Sequence, residues 1–453
     1  MRKPLLLIIL LLVVLGTRAE GTKEIMPTEA SHGRICIYEP NEASDPNRFA
    51  IMNCDPNYRL YIRVGSGGEK VYYGFGERMT DETSTYIGVV HYNIYNPMGT
   101  KVANNLVVPS AGQVGFIQNY SQAVIGPSSV PGGSGGYSAL SFNATISGDY
   151  YIEFSAPTMG DRYHFQYFDI TVTSSSGTKK PGRLWSKAWR MNANIGGPNN
   201  YYEFDGSMYV YSDDGIVTKV NFNRIKPYIF SISCNETGCA NSGNPAEDRK
   251  STTNDQGGVP QYKIFLNNPD QSYYPTGVFG SITSPITSQS YCNGGSDFYV
   301  SVNKTGKVEL FFDINPTAGV QPEDIKVTAD VTVGTNTIYW PGLNGLGQPL
   351  SNGTIVPLTI TYINGLTNLP IADPDYHDHG FIVTLIRPTG PDPFLYWDDS
   401  NLSPPQNTVN LDGCVASPPE GCHSFPYSIG NGNTINTWWY ASSTSTDVIE
   451  FEY

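Results

Sequence analysis

The chain has 453 residues, with 47 glycines, 33 prolines and 31 tyrosines, and only 15% of its residues are charged. The chain is too long for a single hydrophobic core of ordinary size, so its length predicts about three domains. Its composition favours many short strands over helices. The formal net charge of −14 argues against a nucleic-acid partner, because such binding depends on lysine and arginine neutralising phosphates. The charge is compatible with bound calcium or with simple solubility.

The first 19 residues have the three regions of a secretory signal peptide. Met1-Arg-Lys3 is charged, residues 4–15 are mostly apolar, and Gly16-Thr-Arg-Ala19 offers a small residue for cleavage. We expect cleavage after Ala19 and an extracellular or cell-surface location. The apolar run is shorter than the roughly 20 residues that span a bilayer, and no later segment is apolar enough to act as an anchor. No membrane insertion is therefore expected.

Residues 31–175 are predicted to form an N-terminal β-sandwich domain. Tyr58–Val64 alternates between apolar and polar positions, as a half-buried strand does, and we expect it to pair as a hairpin with residues 70–76. Residues 150–154 and 164–172 are predicted to be further strands. Gly132-Gly-Ser-Gly-Gly136 is predicted to be a surface loop, because glycine is too flexible for a strand interior.

Residues 174–182 are small, polar and proline-containing, which is typical of a linker. A second β-rich domain is predicted at 183–295. Within it, strands at 207–212 and 216–222 flank Asp213-Asp-Gly215, and Asp-Gly is a strong hairpin signal because it accepts positive φ. Residues 235–260 are rich in Asn, Ser and Gly and are predicted to form a long polar loop.

Residues 297–453 are predicted to form an immunoglobulin-like β-sandwich with a Trp-rich C-terminal extension. Strands are expected at 308–314, 325–331, 336–340 and 359–363, separated by glycine and proline. The expected fold class is therefore all-β, with about three tandem β-sandwich domains, immunoglobulin-like or jelly-roll-like, after a signal peptide.

Seven cysteines follow the predicted signal peptide, and an oxidising compartment favours disulfides. Nearness in sequence suggests Cys36 with Cys54, Cys234 with Cys239, and Cys414 with Cys422, leaving Cys292 without an assigned role. Spacing does not fix connectivity. The alternative is a zinc site built from cysteine and His423, but the CxxC and HxxxH spacings of structural zinc are absent.

The third unit resembles known bacterial surface proteins. Ile338-Tyr-Trp340, followed by Gly342, Asn344, Gly347 and Gly353, resembles the immunoglobulin-like units of flagellar hook-capping proteins. In that resemblance Trp340 would fill the core at a strand end, while the glycines allow a tight corner.

A longer stretch resembles the large secreted cell-surface proteins of Bacteroidetes, which are adhesin-like or gliding-motility-associated. The motifs are Asn315–Asp324, Asn364–Pro370, Tyr396–Leu402, Gly421–Ser424 and Asn433–Tyr440, with Val71–Gly76 and Met208–Gly215 in the first two units. The resemblance implies a structural or adhesive role and no catalytic residues. Such proteins usually continue to an attachment module, so the chain ending at Tyr453 would be a fragment or a short version. Six Asn-x-Ser/Thr sequons keep a eukaryotic source open.

A polar segment is the candidate metal site. Asp373, Asp375 and Asp378 could supply carboxylate ligands to calcium, while His377 and His379 could bind a transition metal instead. The alternative is a solvated loop, and no EF-hand spacing is present. No cofactor is otherwise expected, so calcium at this segment is the one candidate retained.

Trp438-Trp-Tyr440 is the candidate ligand-binding site, because aromatic rings with a polar edge suit the faces of sugars. Adjacent residues in a strand point to opposite faces, so some of these rings must pack inward. The alternative is an ordinary core with a few exposed aromatics.

No motif for catalysis is convincing. The Gly-x-Ser-x-Gly match at 132–136 lacks the strand and helix that a nucleophile elbow needs, and acidic pairs for a glycosidase occur by chance in so acidic a chain. The leading hypothesis is a non-catalytic extracellular or cell-surface adhesive protein with a polysaccharide or protein partner. The alternatives are a carbohydrate-binding module, assisted by calcium or not, and a secreted hydrolase.

Overall fold

The structure is a computed structural model that describes residues 20–38, 49–65, 68–80, 89–130, 134–155, 162–193, 202–292, 294–404 and 407–453. The predicted signal peptide and residues 132 and 133 of the glycine-rich match lie outside these ranges. In the described residues the fold is almost entirely β, which confirms the predicted class. Within the same ranges, no helix has the length and apolar character needed to cross a membrane.

The strands of the first half, in chain order, are β1 Arg34–Tyr38, β2 Leu60–Val64, β3 Lys70–Phe75, β4 Arg78–Thr80, β5 His91–Tyr95, β6 Lys101–Val107, β7 Leu140–Asn143, β8 Gly148–Ser155, β9 Arg162–Phe165, β10 Phe168–Thr173, β11 Leu184–Ser186, β12 Ala188–Asn192, β13 Ser207–Tyr211 and β14 Val217–Asn221. Those of the second half are β15 Ile229–Ser233, β16 Lys263–Phe265, β17 Thr287–Ser290, β18 Ser296–Val302, β19 Gly306–Phe312, β20 Ile325–Val331, β21 Gly334–Trp340, β22 Ile355–Ala372, β23 Asp375–His377, β24 Ile382–Arg387, β25 Leu395–Asp398, β26 Val409–Cys414, β27 Phe425–Pro426, β28 Thr434–Ser445 and β29 Ile449–Glu452. Short helices are α1 Thr22–Ile25, α2 Tyr120–Ile125, α3 Pro245–Asp248 and α4 Tyr427–Gly430, with a 3₁₀ turn at Pro56–Tyr58.

Two large antiparallel sheets build the main body. One has the order β24-β14-β13-β16-β11-β2-β8-β5-β6, and the other contains β26-β25-β28-β22-β15-β12-β1-β9-β4. A smaller sheet, β10-β3-β7, lies beside them. Apolar side chains from all three, such as Ile62, Trp189 and Ile170, form one hydrophobic core, here called the first core.

The first core does not divide at the predicted linker. Strand β1 of the predicted N-terminal domain pairs with β12, and β2 pairs with β11, so both sheets cross from residues 31–175 into residues 183–295. The linker composition at 174–182 thus marks a turn between strands of one body, in which the Ser174 backbone N–H donates to the Thr178 carbonyl at 2.8 Å.

A second core lies in the C-terminal third, where an immunoglobulin-like sandwich was predicted. It is built from the sheet β17-β18-β21 and from β19, β20, β29 and the first part of β22. Trp340 is fully buried there, stacks on Phe312 with ring centroids 4.1 Å apart, and donates its Nε1–H to the Leu343 carbonyl at 3.0 Å. The predicted core-filling role of Trp340 is confirmed.

Strand β22 joins the two cores. Its first part pairs with β19 and β29 in the second core, and its last residues pair with β15 in the main body. Strand β28 runs alongside it from Thr361 to Ala372. Residues such as Leu369 and Trp439 therefore belong to the first core, so the predicted third unit, 297–453, contributes to both bodies.

Local patterns gave mixed results. The hairpin at Asp213-Asp-Gly215 is confirmed by the β13–β14 register, from Ser207 opposite Asn221 to Tyr211 opposite Val217. The predicted hairpin of β2 with β3 is wrong, because β2 pairs with β8 and β11 while β3 pairs with β10 and β7. Both strands pair with strands that are distant in sequence.

The Cys414–Cys422 disulfide is present. The other two predicted pairs are not formed: Cys54, Cys234 and Cys239 carry free thiols, and Cys36 lies fully buried in β1. Burial raises the pKa of Cys239 to about 12, and Cys234 is completely enclosed in the first core. Cys54 and Cys234 lie in the first core and act as small apolar side chains, a common use of buried thiols.

Candidate functional site

A groove of about 530 Å³ lies where the main body meets the second core. Strands β25, β26 and β28 contribute from the main body, β19 and β20 from the second core, and the segment after α3 closes a further side. The lining includes Tyr396, Trp438, Tyr440, Leu411, Asp398, Asp412, Arg249, Lys250, Glu247, Lys307, Glu309, Lys326 and Asp330. Ligand sites commonly have this size and occur between domains.

Aromatic rings form the floor of the groove because of strand alternation in β28. Trp438 and Tyr440 project to one face, and Trp439, between them, projects to the other. Tyr396 on β25 lies opposite Trp438 in register, and their rings are nearly parallel, with centroids 6.3 Å apart. Trp438 and Tyr440 are each 6% exposed. The aromatic floor, here called the slot, is thus mostly covered by neighbouring side chains, unlike the shallow exposed platform expected of a simple carbohydrate-binding surface.

Charged side chains around the slot are largely matched in pairs. Lys250 Nζ lies 2.8 Å from Glu247 Oε1, and Lys307 and Lys326 approach Glu309 at 3.3 and 3.7 Å. Such solvent-accessible pairs add little stability. These pairs surround the aromatic floor with positively charged hydrogen-bond donors and negatively charged acceptors.

Arg249 ties the loop to the floor and to the second core. Its Nη1 donates to the Tyr440 hydroxyl at 3.3 Å, and its Nη2 lies 3.0 Å from Asp330 Oδ1. Asn436 Nδ2 donates to the Arg249 carbonyl at 2.8 Å, which fixes the segment against β28. Burial raises the pKa of Tyr396 to about 12 and that of Tyr440 further. Both phenols therefore stay protonated and can donate hydrogen bonds.

The predicted polar loop at 235–260 is held by its own contacts and supplies α3. Asn235 Oδ1 accepts from the Gly238 backbone N–H at 2.6 Å, and Asp248 accepts from that of Ser242 at 2.9 Å. The loop also lines a second cavity of about 570 Å³ with Tyr262 and Leu366, which shares Arg249 and Asp330 with the groove. The Arg249–Asp330 ion pair is common to the walls of both spaces.

The predicted ligand-binding residues are only partly brought together. Trp438 and Tyr440 lie in the groove, but Trp439 is fully buried in the first core. The prediction that Trp439 belongs to the ligand site is therefore wrong. Side chains alternate along β28, and the face opposite the groove covers the first core. Sequence reasoning missed Tyr396, Arg249 and Lys326, whose nearness to Trp438 depends on strand pairing and loop packing.

The predicted calcium ligands have other partners. Asp378 lies 2.9 Å from Lys226 Nζ, and Asp373 accepts from the Gly432 backbone N–H at 2.7 Å. Asp375 accepts from the Tyr228 backbone N–H, and burial raises its pKa to about 7. Across the described ranges, no three His, Cys, Asp or Glu residues are grouped to hold a metal ion.

A buried carboxylate, an imidazole and a hydroxyl form a hydrogen-bonded chain that ends at Thr437 on β28. Asp399 Oδ2 is 2.9 Å from His423 Nε2, and His423 Nδ1 is 2.7 Å from Thr437 Oγ1. The residue types are those of a hydrolytic triad, but the two ring nitrogens are exchanged, since in such a triad the nucleophile bonds Nε2 and the carboxylate bonds Nδ1; no sequence motif signalled this group. Thr437 is 1% exposed and His423 stacks on Trp397 at 4.7 Å. A substrate could not reach the hydroxyl unless the sheet opened, so the arrangement serves packing in this conformation.

These features define an all-β protein with several antiparallel sheets and a groove at the junction of its two cores. No family model matches the chain, and no curated protein matches it. Among solved structures, the chain is similar to a DUF4785 family protein from Legionella pneumophila, at 11% identity over 75% of this chain and 86% of that chain. The TM-score is 0.13, so this likeness carries no argument about fold or function.

Proposed function

We propose that this chain is a non-catalytic, exported adhesive protein that binds an uncharged or weakly charged glycan segment in the groove at the junction of its two cores. The observation that carries the proposal is the floor of Tyr396, Trp438 and Tyr440 inside a ring of paired charges. Export is supported by the first 19 residues, and an adhesive role by the resemblance to secreted surface proteins.

The chemistry of the slot favours hydroxyl-rich ligands. Aromatic rings with phenolic donors suit the apolar faces and hydroxyl edges of sugars. The rim pairs Lys250–Glu247 and Lys326–Glu309 supply donors and acceptors without a large net field. A strongly anionic polymer would meet carboxylates at several points of the rim, including Asp398 and Asp412.

A secreted hydrolase is the weaker candidate. Such a hydrolase would need a general acid and a general base among the carboxylates of the groove. Glu247, Glu309 and Asp330 are each engaged in an ion pair with a lysine or arginine, so none of them stands free to face the bond of a substrate. The site therefore supports binding better than bond cleavage.

The test is a glycan-array and bacterial-polysaccharide screen of residues 20–453, run with calcium and again with a chelator. We expect specific binding that the exposed rim variants Lys326→Glu and Leu411→Arg reduce at least about tenfold. Both side chains are exposed, so the fold should tolerate them. Lys101→Glu, on exposed edge strand β6, is the matched control and should bind normally.

The outcomes separate the alternatives. Absence of binding would overturn the glycan proposal, and binding that the rim variants leave unchanged would place the site elsewhere. If chelation abolishes binding and Asp373→Asn or Asp378→Asn does the same, the predicted calcium segment contributes to recognition after all.

A further inference from the structure

An unbroken row of aromatic residues, here called the aromatic row, crosses the outer face of the nine-stranded sheet. Strand register places each member directly opposite the next, in the order Tyr95, Tyr151, Tyr61, Trp185, Phe265 and Tyr209. Alternate side chains of the same strands, such as Ile62 and Ile264, belong to the first core, so the row lies on the face away from that core. Tyr274, from the segment after β16, packs edge-on against Phe265 at a centroid distance of 4.7 Å. Neighbouring strands are about 4.8 Å apart, which makes the row about 24 Å long.

The rings of the row are stacked on their neighbours and on a guanidinium group. Tyr95 and Tyr151 are parallel within 9°, with centroids 4.7 Å apart, and Tyr61 is stacked on Trp185 at 4.3 Å. Arg59 covers Tyr151 at 4.1 Å from the ring centroid. Nucleic-acid bases bind by stacking on open ring faces, and here neighbouring side chains already use these faces. The row therefore suits a ligand that is held by charge and hydrogen bonds rather than by base stacking.

Lysines lie over the other half of the row. Lys263 Nζ is 5.2 Å from the ring centroid of Trp185, and Lys219 Nζ is 6.0 Å from that of Tyr209. Burial lowers the pKa of Lys263, and the charge of nearby Lys187 lowers it further. A cation above a ring is attracted to it only modestly at an accessible site, and its N–H groups can still donate to a ligand.

These lysines give the row an excess of positive charge in a chain whose net charge is −14. The flanking carboxylates, Glu153 and Asp149, lie 3.2 and 3.6 Å from arginine nitrogens. Asp213, in the turn after β13, acts on Lys263 only beyond ion-pair distance. None of the three lysines forms an ion pair with a residue that the structure describes. Grouped like charges repel one another, and an anionic ligand would relieve that repulsion.

We propose that the aromatic row is a binding surface for a linear anionic polysaccharide that carries carboxylate or sulfate groups. Lys187 follows β11, Lys263 begins β16 and Lys219 lies on β14, so the three lysines extend over about 14 Å across the strands. A small anion would reach one or two of them, whereas a polymer with repeated anions reaches all three, and linked contacts add affinity. The surface lies on a different sheet from β25 and β28, which carry the groove floor, so it is independent of the proposed groove ligand.

The test measures the affinity of residues 20–453 for dextran sulfate and for polygalacturonate, with uncharged dextran as the reference polymer. We expect both anionic polymers to bind and dextran not to bind. Combining Lys219→Gln with Lys263→Gln should weaken the binding at least about tenfold and reduce its dependence on salt concentration, because fewer counter-ions are released. Absence of binding to both anionic polymers, or equal binding of dextran, would overturn the proposal.

The matched control is Lys70→Gln, because Lys70 also lies over a tyrosine, Tyr72, at 4.8 Å, but on the smaller sheet. It should leave the affinity unchanged, and a loss equal to that of the double variant would overturn the assignment to the row. If the double variant does not fold, Lys219→Gln alone decides, with an expected loss of at least about threefold. No loss in that folded single variant would overturn the proposal.

Further ligands and one groove variant separate this surface from its alternatives. Single-stranded DNA and phosphatidylserine vesicles are measured with the same proteins. Binding of either that is tighter than that of the anionic polysaccharides, and that the double variant loses, would overturn the polysaccharide assignment. The groove variant Leu411→Arg should bind both anionic polymers as the natural protein does, and a loss there would place the site in the groove and overturn the proposal.

Discussion

Asp399 and His423 lie 2.9 Å apart at a place that solvent hardly reaches, with side chains 1% and 0% exposed. Ser251 Oγ donates to the other carboxylate oxygen of Asp399 at 2.6 Å. Ser251 Oγ also accepts from the Asn436 backbone N–H at 3.0 Å. The network thus links the loop after α3 to β28, the strand that carries the groove floor.

Removing the Asp399 carboxylate should destabilise the protein strongly. We expect Asp399→Ala to lower the free energy of unfolding by about 3–5 kcal/mol, because it leaves the buried His423 and Ser251 without their partner. The measurement is urea unfolding. The matched control is Asp412→Ala, at an exposed position of β26, which should cost less than about 1 kcal/mol. Equal losses would contradict a special role for the buried network.

Substitutions at Gly342 and Gly347 can distinguish the effect of steric crowding on stability from that of backbone strain. Both have positive φ, 74° and 75°, so any side chain is strained at either position. A Cβ at Gly342 would lie 1.8 Å from the Gly294 carbonyl oxygen, whereas nothing lies within 4 Å of a Cβ at Gly347. Gly342→Ala should therefore lower the Tm much more than Gly347→Ala. Similar Tm losses would show that strain alone decides at this corner.

Glu24 should make stability depend on pH. Burial raises its pKa from 4.5 to about 8 in the folded protein. Between these values the folded state binds more protons than the unfolded state, so this group's contribution to stability falls as the pH rises. Glu24→Gln should raise the Tm more at pH 8 than at pH 5. The opposite trend, or an equal shift at both values, would contradict a buried, protonated Glu24.

The Cys414–Cys422 disulfide should stabilise the segment that carries His423. It closes a short loop, with a sequence separation of 8, for which loop entropy suggests about 2–3 kcal/mol. Reductant should lower the Tm of the natural protein and leave the Cys414→Ser, Cys422→Ser double variant unchanged. Cys292 is exposed and Cys234 is buried, so alkylation of the native protein should modify the former first. A reductant effect in the double variant would point to another disulfide.

Local sequence pattern predicted strands well but not their partners. The alternation at Tyr58–Val64 and the Asp-Gly turn at 213–215 depend on neighbouring residues alone. The choice of β8 and β11 as partners of β2 depends on which faces are buried after the whole chain folds. The boundary predicted between residues 175 and 183 does not separate two cores for the same reason, since composition describes a segment and not the sheet that it enters.

The candidate site shows the same limit. Trp438 and Tyr440 were found because aromatic clusters are visible in sequence, and alternation predicted that neighbours in that run would separate. The pattern could not say which face of β28 covers a core, so Trp439 was included. Arg249 lies in a polar loop whose composition predicted no binding residue, and its role follows from its contacts with Tyr440 and Asp330.

If the proposed adhesive function holds, strand β22 would also transmit force between the two bodies. Because one continuous backbone and its long pairing with β28 run through both bodies, tension applied to one body passes to the other through hydrogen bonds loaded side by side. The two walls of the groove would then keep their spacing under load. A ligand held there would be gripped by a rigid clamp, without a joint that could yield between the two cores.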